Sequence, residues 1–368
     1  MKKIGIITIT SGLNYGNTLQ NLGVVLFLRK LGYQVETILN EDGTDHQKHP
    51  FMRRLKEVIK ILLNYKGQRQ QILFERKRQE KYMAFDKQYI PFSKTHITRN
   101  EITLDIERQY DYFVAGSDII WNPIYVSDVM LLKRVPNEKK VAYAASFGVK
   151  KLDLEREKEY RQALQTFKSI STREKDGAVI IKKLLGKNVE TCVDPTLLVS
   201  DKKWGTIARK PEWLHIENEK YVVTYFLGET PDYVRKDIRD RFGENIPVID
   251  FLNKDNIDWY AIDPAEFLYL IQHAKLVYTD SFHGSLFSVI FKRPFFAFAR
   301  NELGNHAFNQ LTSRIENLVT MFSIQHRYII DSAALASIDW KDVDYAHNDE
   351  ILSREIARSE QYLKQALE

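Results

Sequence analysis

The run Leu276-Val277-Tyr278-Thr279 is apolar and β-rich. It breaks at once into Asp280-Ser281-Phe282-His283-Gly284-Ser285, and a second apolar stretch then extends to Pro294. A short β-branched and aromatic run, a small polar turn and a longer apolar run read in that order as strand, tight turn and helix. In an open α/β sheet the turn after a strand's carboxyl end opens into the ligand crevice, and the free N–H groups of the following helix favour an anion there. The sequence therefore predicts His283 in such a crevice. A lone histidine is more often a satisfied structural residue than a catalytic one, but its neighbours alter the balance. Ser281 and Ser285 supply hydroxyls on either side, Gly284 lets a ligand come close to the backbone, and Asp280 can orient an imidazole.

The same order recurs along the chain. Residues 4–10 form a β run that enters a turn holding Asn14, Gly16 and Asn17, after which Leu19, Leu22, Val25 and Leu26 recur at helical spacing up to Gly32. That turn is neither a Walker sequence nor a complete dinucleotide fingerprint. The crowding of Asn14, Gly16, Asn17 and Gln20 at a strand end is what points to a ligand. Residues 111–115 run into Gly116-Ser117-Asp118, residues 169–172 deliver Arg173, and residues 189–193 end in Asp194-Pro195-Thr196. An arginine just beyond a strand end has the fork geometry to hold a carboxylate or phosphate. After an aperiodic stretch a second α/β series begins. It has strands at 221–227, 246–252 and 294–299, and a helix opened by Asp263-Pro264-Ala265-Glu266.

This pattern predicts an α/β protein of two Rossmann-like domains facing one cleft. The N-terminal domain covers 1–199, a linker 200–220, the C-terminal domain 221–345, and a closing helix 346–368 that packs back on the first domain. The length of 368 residues fits two domains of ordinary size. Residues 46–90 carry twelve Lys or Arg against four Asp or Glu, so the net charge of +5 belongs to this one segment. It reads as a basic helical insertion in the first domain, with Phe51, Leu55, Val58, Ile59 and Leu62 on one stripe. Such a charge run is usually a solvated face. The sharper reading is peripheral contact with an anionic membrane or a charged glycan. No nucleic-acid motif accompanies the charge, so nucleic acid is not an expected partner. Cys192 is the one cysteine, which leaves no internal disulfide and no cysteine cluster for a metal. With a β-strand at the start instead of a leader, the expected home is the cytoplasm, at the inner face of the membrane if the basic segment touches lipid.

Taken together, five loops resemble the polysaccharide pyruvyl transferases. They are Asn14-Tyr15-Gly16-Asn17 with Leu19-Gln20, Gly116-Ser117-Asp118 with Trp121, Ser171-Thr172-Arg173-Glu174, Asp194-Pro195-Thr196, and Asp280-Ser281-Phe282-His283-Gly284. They occur in that family's order, from the first strand to about residue 298. The resemblance implies a fold like that of two-domain (GT-B) glycosyltransferases. It also implies transfer of the pyruvyl group of phosphoenolpyruvate to a sugar, with phosphoenolpyruvate as co-substrate and no other cofactor or metal. The acceptor would be a sugar of a surface polysaccharide or its precursor, free or lipid-linked. The family's histidine matches His283 and its first-domain arginine matches Arg173; Arg300 stands for the family's basic residue past the Pro-Phe strand, at a different spacing. Asp118 either holds or deprotonates the attacking hydroxyl or caps the turn after Gly116. The rival readings are a glycosyltransferase of the same shape using a nucleotide sugar, and a non-catalytic glycan-binding protein.

Overall fold

The computed structural model describes residues 1–10, 12–40, 69–216, 220–299, 313–341, 343 and 345–368. It divides into two units. One comprises Met1–Phe51, Asp86–Val199 and Leu352–Glu368, and the other Met52–Phe85 and Ser200–Ile351.

In the first unit, six parallel strands lie in the order β2-β1-β3-β4-β5-β6. They are β1 Lys3–Ile7, β2 Gln34–Thr37, β3 Tyr112–Ala115, β4 Lys140–Ala145, β5 Ser169–Thr172 and β6 Glu190–Thr191. β3 and β4 are buried at every position, as a parallel sheet covered on both faces requires. Helix α1 (Tyr15–Lys30) follows β1. The core gathers Trp121, Phe147 and Tyr160 beside the strands, and the β4–β5 register shifts between Ala142 and Ala145. Strand order reverses at β1, between β2 and β3, so β1/β3 is the switch point at which a doubly wound sheet opens its crevice.

In the second unit, five parallel strands lie in the order β11-β10-β9-β7-β8. They are β7 Val222–Tyr225, β8 Val248–Asp250, β9 Leu276–Thr279, β10 Phe295–Phe298 and β11 Tyr328–Ile329. The switch point here is β7/β9. The Rossmann-like reading of both halves is borne out by these two sheets.

Helix α2 (Arg69–Tyr89) contains the described part of the basic segment; residues 46–68 lie outside the described residues. The sequence reading placed this segment in the first domain, whereas α2 up to Phe85 counts with the second unit. The cause is its pairing there. Lys77 meets Asp258 at 2.8 Å, Lys81 meets Glu266 at 2.6 Å, and the Arg78 guanidinium stacks over the Tyr260 ring.

One further boundary differs. The stretch read as a linker, 200–220, begins with helix α3 (Asp201–Ile207), capped by Ser200 accepting from the Lys203 N–H. Its Trp204 is fully buried, edge-on to Phe287 at 5.3 Å. A seven-residue helix that buries only Trp204 and Ile207 shows no periodicity to read. Among the later helices are α4 (Pro264–Gln272), with a full capping box between Asp263 and Glu266, α5 (Phe282–Ile290) and α6 (Ala346–Ala366). From Leu352 onward α6 belongs to the first unit. There the Ser359 hydroxyl accepts from the Val193 N–H at 3.0 Å, and the Tyr362 hydroxyl donates to the Ala142 carbonyl at 2.7 Å.

Candidate active site

At the β1/β3 switch point, the polar residues of the first loop are bound to one another. The Asn14 Oδ1 accepts from the Gly16 and Asn17 N–H groups at 2.8 and 3.2 Å, which makes it the N-cap of α1. Gln20 is fully buried. Its Nε2 donates to Thr8 Oγ1 at 2.8 Å, and its Oε1 accepts from the Ser117 N–H at 3.1 Å. One side chain thus spans the switch point and ties the loop after β1 to the loop after β3. That second loop is held from every side. Gly116 lies at φ 137°, where a Cβ would stand 2.1 Å from the Tyr143 carbonyl oxygen. The Ser117 hydroxyl donates to the Ala144 carbonyl at 2.9 Å, and Asp118, at φ 52°, accepts on its own carbonyl from the Ser146 N–H. A non-glycine residue in the left-handed region persists only where its surroundings over-determine it, a condition that clusters at functional sites.

The Asp118 side chain turns toward Arg173. The two stand 3.5 Å apart, and Arg173 also faces Asp194 at 2.8 Å and Glu174 at 3.8 Å. All four side chains are buried. Burial lowers the Arg173 guanidinium, but the carboxylates of Asp194, Asp118 and Glu174 outweigh it and hold the group above its ordinary value. Glu174 Oε1 accepts from the Ser146 hydroxyl at 2.9 Å and the Phe147 N–H at 3.1 Å, so the loop after β4 joins the same network. Glu174 and Asp194 were in the motifs, but sequence reasoning assigned neither a role. The only available signal was their position beside an arginine and at a strand end.

In the second unit the stretch 280–288 forms the turn and helix that the sequence predicts. Ser281 is the N-cap of α5, its Oγ accepting from the Gly284 N–H at 3.3 Å, and its carbonyl accepts from the Ser285 hydroxyl at 3.2 Å. His283, in the first turn, is 6% exposed and stands edge-on to the Phe282 ring. Asp280 Oδ1 accepts from the Leu227 N–H at 2.9 Å, so here too a side chain spans the switch point, from the end of β9 to the loop after β7. Gly284 has a packing reason: a Cβ there would lie 2.5 Å from Thr279 Oγ1. Its missing side chain lets α5 close on β9. Next along the sheet, Asp250 accepts from the hydroxyls of Thr224 at 2.7 Å and Thr230 at 3.3 Å, a strand-end network with no signal in the sequence beyond the residue types. Arg300 lies outside the described residues. Among the described residues, no group of three or more His, Cys, Asp or Glu is placed to hold a metal ion.

Both units therefore collect buried polar side chains at the carboxyl ends of parallel strands and lock them across the switch point. Comparison with solved structures finds similarity across nearly whole chains at low identity. A protein described as a UDP-N-acetylglucosamine 2-epimerase from Listeria monocytogenes is 12% identical, with 97% of this chain and 90% of that chain covered and a TM-score of 0.47. A spinosyn rhamnosyltransferase complexed with thymidine diphosphate is 12% identical, with 100% and 96% covered and a TM-score of 0.39. The UDP-GlcNAc 2-epimerase of Neisseria meningitidis bound to UDP-GlcNAc is 10% identical, with 97% and 100% covered and a TM-score of 0.37. A search of curated proteins returned no match. The family model described as polysaccharide pyruvyl transferase matches residues 14–302. That span runs from the N-cap of α1 past β10 and takes in all five strand-end loops, so the chain belongs to the polysaccharide pyruvyl transferase family.

Proposed function

We propose that the protein moves the pyruvyl group of phosphoenolpyruvate onto a sugar of a surface polysaccharide or its precursor, forming a ketal. The family match supports the transferase class and the glycan acceptor. The observation that carries the finer reading is that Asp118 and His283, two groups able to move a proton, stand at the switch-point ends of the two sheets. In the reaction a sugar hydroxyl adds across the enol double bond, its oxygen bonding to C2 and a proton arriving at the C3 methylene. The C2–O bond to phosphate then breaks, a second hydroxyl bonds to C2, and its proton leaves with a base or with the phosphate. His283 supplies the proton to C3, and Asp118 receives the proton of the attacking hydroxyl. The first turn of α5, with the Ser281 and Ser285 hydroxyls, and the cation of Arg300 suit the donor's phosphate and carboxylate. Among the described residues no helix is long and apolar enough to cross a membrane. We place the reaction on the cytoplasmic side, where phosphoenolpyruvate is made.

The test is incubation with labelled phosphoenolpyruvate and a panel of free and lipid-linked sugar acceptors, read by phosphate release and by mass gain of the acceptor. Pyruvylated product with stoichiometric phosphate is the expected result. Nucleoside diphosphate released from a nucleotide sugar, with phosphoenolpyruvate untouched, would replace this reading with glycosyl transfer.

A further inference from the structure

The second unit carries at the end of β8 a carboxylate that the transfer chemistry leaves unused. Asp250 is half-buried, and its register partner on β7 is Thr224. Its Oδ1 accepts from the Thr224 hydroxyl at 2.7 Å and the Thr230 hydroxyl at 3.3 Å, and its Oδ2 from the Asn253 amide at 3.3 Å. All three donors are neutral, and among the described residues no cation pairs with the carboxylate. An ionised carboxylate offers about four lone-pair sites, so Oδ2 keeps room for a further hydroxyl. Leu252, two residues on, sits at φ 66°, a conformation that a branched side chain holds only where its surroundings fix it.

The place of Asp250 in the sheet points to the class of ligand. Strands β7, β8 and β9 are the first, second and third of this unit, in the 2-1-3-4-5 order of a doubly wound sheet. In dinucleotide-binding sheets a carboxylate about 20 residues beyond the first βα turn takes a ribose hydroxyl. Asp250 stands 20 residues beyond Thr230, at the end of that turn here. The hydroxyl-holding position is therefore kept, but the diphosphate-holding one is not. The turn reads Phe226-Leu227-Gly228-Glu229-Thr230-Pro231, with one glycine, and the Leu227 N–H is already given to Asp280. The helix it enters, Asp232–Phe242, has an acid in its first turn, whereas α5 has none. An anion thus prefers α5, and a neutral polyol suits the end of β8. β8 lies two strand spacings from β9, the strand that leads to His283, which is about 10 Å at the backbone. A sugar ring with its hydroxyls bridges that span.

We propose that Asp250 binds the acceptor sugar, accepting hydrogen bonds from hydroxyls that do not react while the reacting pair is turned toward His283. The identity of the donor and of the reacting pair rests on the pyruvyl-transfer reading above; the sugar contact does not.

The experiment uses the full chain, as wild type and as Asp250→Asn. Asn keeps the size of the side chain but removes the charge, and a charge-assisted hydrogen bond is about twice as strong as a neutral one. Saturation-transfer NMR without donor reads the binding of methyl glucoside, methyl galactoside and methyl mannoside, with UDP as the nucleotide probe. Wild type is expected to bind at least one glycoside, and Asp250→Asn to weaken that binding about tenfold or more. A deoxy analogue lacking the hydroxyl that Asp250 accepts from should lose as much on wild type and little further on the variant. Equal glycoside binding by the two proteins, or none by wild type, would overturn the proposal. So would UDP binding that the substitution abolishes, since the hydroxyls would then be a ribose's. In the transfer assay, Asp250→Asn should raise the acceptor KM about tenfold or more and leave the phosphoenolpyruvate KM within about twofold. A rise in the phosphoenolpyruvate KM alone would move Asp250 to the donor and overturn the proposal. If wild type transfers nothing from phosphoenolpyruvate, the function reading fails and the binding arm alone decides. Should Asp250→Asn not fold, Asp250→Glu retains the charge, displaces the carboxylate by one methylene and enters both arms, with the same sign and a smaller effect.

Discussion

His283 and Gly284 are adjacent residues singled out for related reasons, and the structure separates them. The motif suggested a glycine that admits a ligand, but Gly284 instead admits Thr279, whose hydroxyl is itself bound to the Tyr225 carbonyl at 2.7 Å and cannot swing away. Gly284→Ala is therefore expected to cost about 1–3 kcal/mol of stability by overpacking, measured by urea unfolding. Gly116→Ala should cost more, since its Cβ would meet a backbone carbonyl and its φ disfavours any side chain. His283→Ala should leave the fold intact and lower kcat about 10²–10⁴-fold, with a much smaller effect on phosphoenolpyruvate binding, as separate turnover and calorimetric measurements would show. Equal losses in binding and turnover would remove the histidine from proton transfer. The residue types at the strand ends were legible in the sequence; their partners were not. Asn14 and Gln20 read as groups aimed at a ligand, yet Asn14 caps a helix and Gln20 bridges Thr8 to Ser117. A polar side chain's partner is set by which strands become neighbours, and here residues 20 and 117 meet only because β3 pairs with β1.

Among the elements, legibility followed length and punctuation. α4 could be read in advance because Asp263-Pro264-Ala265-Glu266 carries its own capping box, and both of its hydrogen bonds form. The short α3 could not. α2 was readable as a helix, but its attachment was not, because Lys77 and Lys81 look like solvated charge until Asp258 and Glu266 are placed opposite. The closing helix α6 offers a test at this scale. Ser359→Ala removes the acceptor of the buried Val193 N–H. An unsatisfied buried amide costs about 1–3 kcal/mol, so the urea midpoint should fall by that equivalent, and Ser359→Thr should restore much of it. An unchanged midpoint would mean that Val193 finds another acceptor.

At the scale of the whole molecule, the unit boundary at Phe85–Asp86 falls inside α2. Burial pushes the Asp86 carboxyl up to about 7, and its Oδ1 has no hydrogen-bond partner among the described residues. The folded state therefore binds a proton more tightly than the unfolded chain does. The associated stability is present in full below the unfolded value near 3.8 and is lost as pH rises through about 7. Asp86→Asn should accordingly raise Tm at pH 8 and make little difference at pH 4, read from melts across that range. A gain at pH 4 equal to that at pH 8 would detach the effect from titration.

The second such boundary, Ile351–Leu352 inside α6, bears on the order in which the chain is completed during synthesis. Domains generally fold as units, the N-terminal one first, as they leave the ribosome. Here the first sheet takes contacts from residues 352–368, which carry the Ser359 hydroxyl to the Val193 amide just past β6 and the Tyr362 hydroxyl to the Ala142 carbonyl within β4. All five strands of the second sheet have been translated before those residues appear. The first sheet is thus completed by residues translated after the whole of the second sheet, and a nascent chain stalled between residues 200 and 351 holds a first sheet whose Val193 amide still lacks the Ser359 hydroxyl.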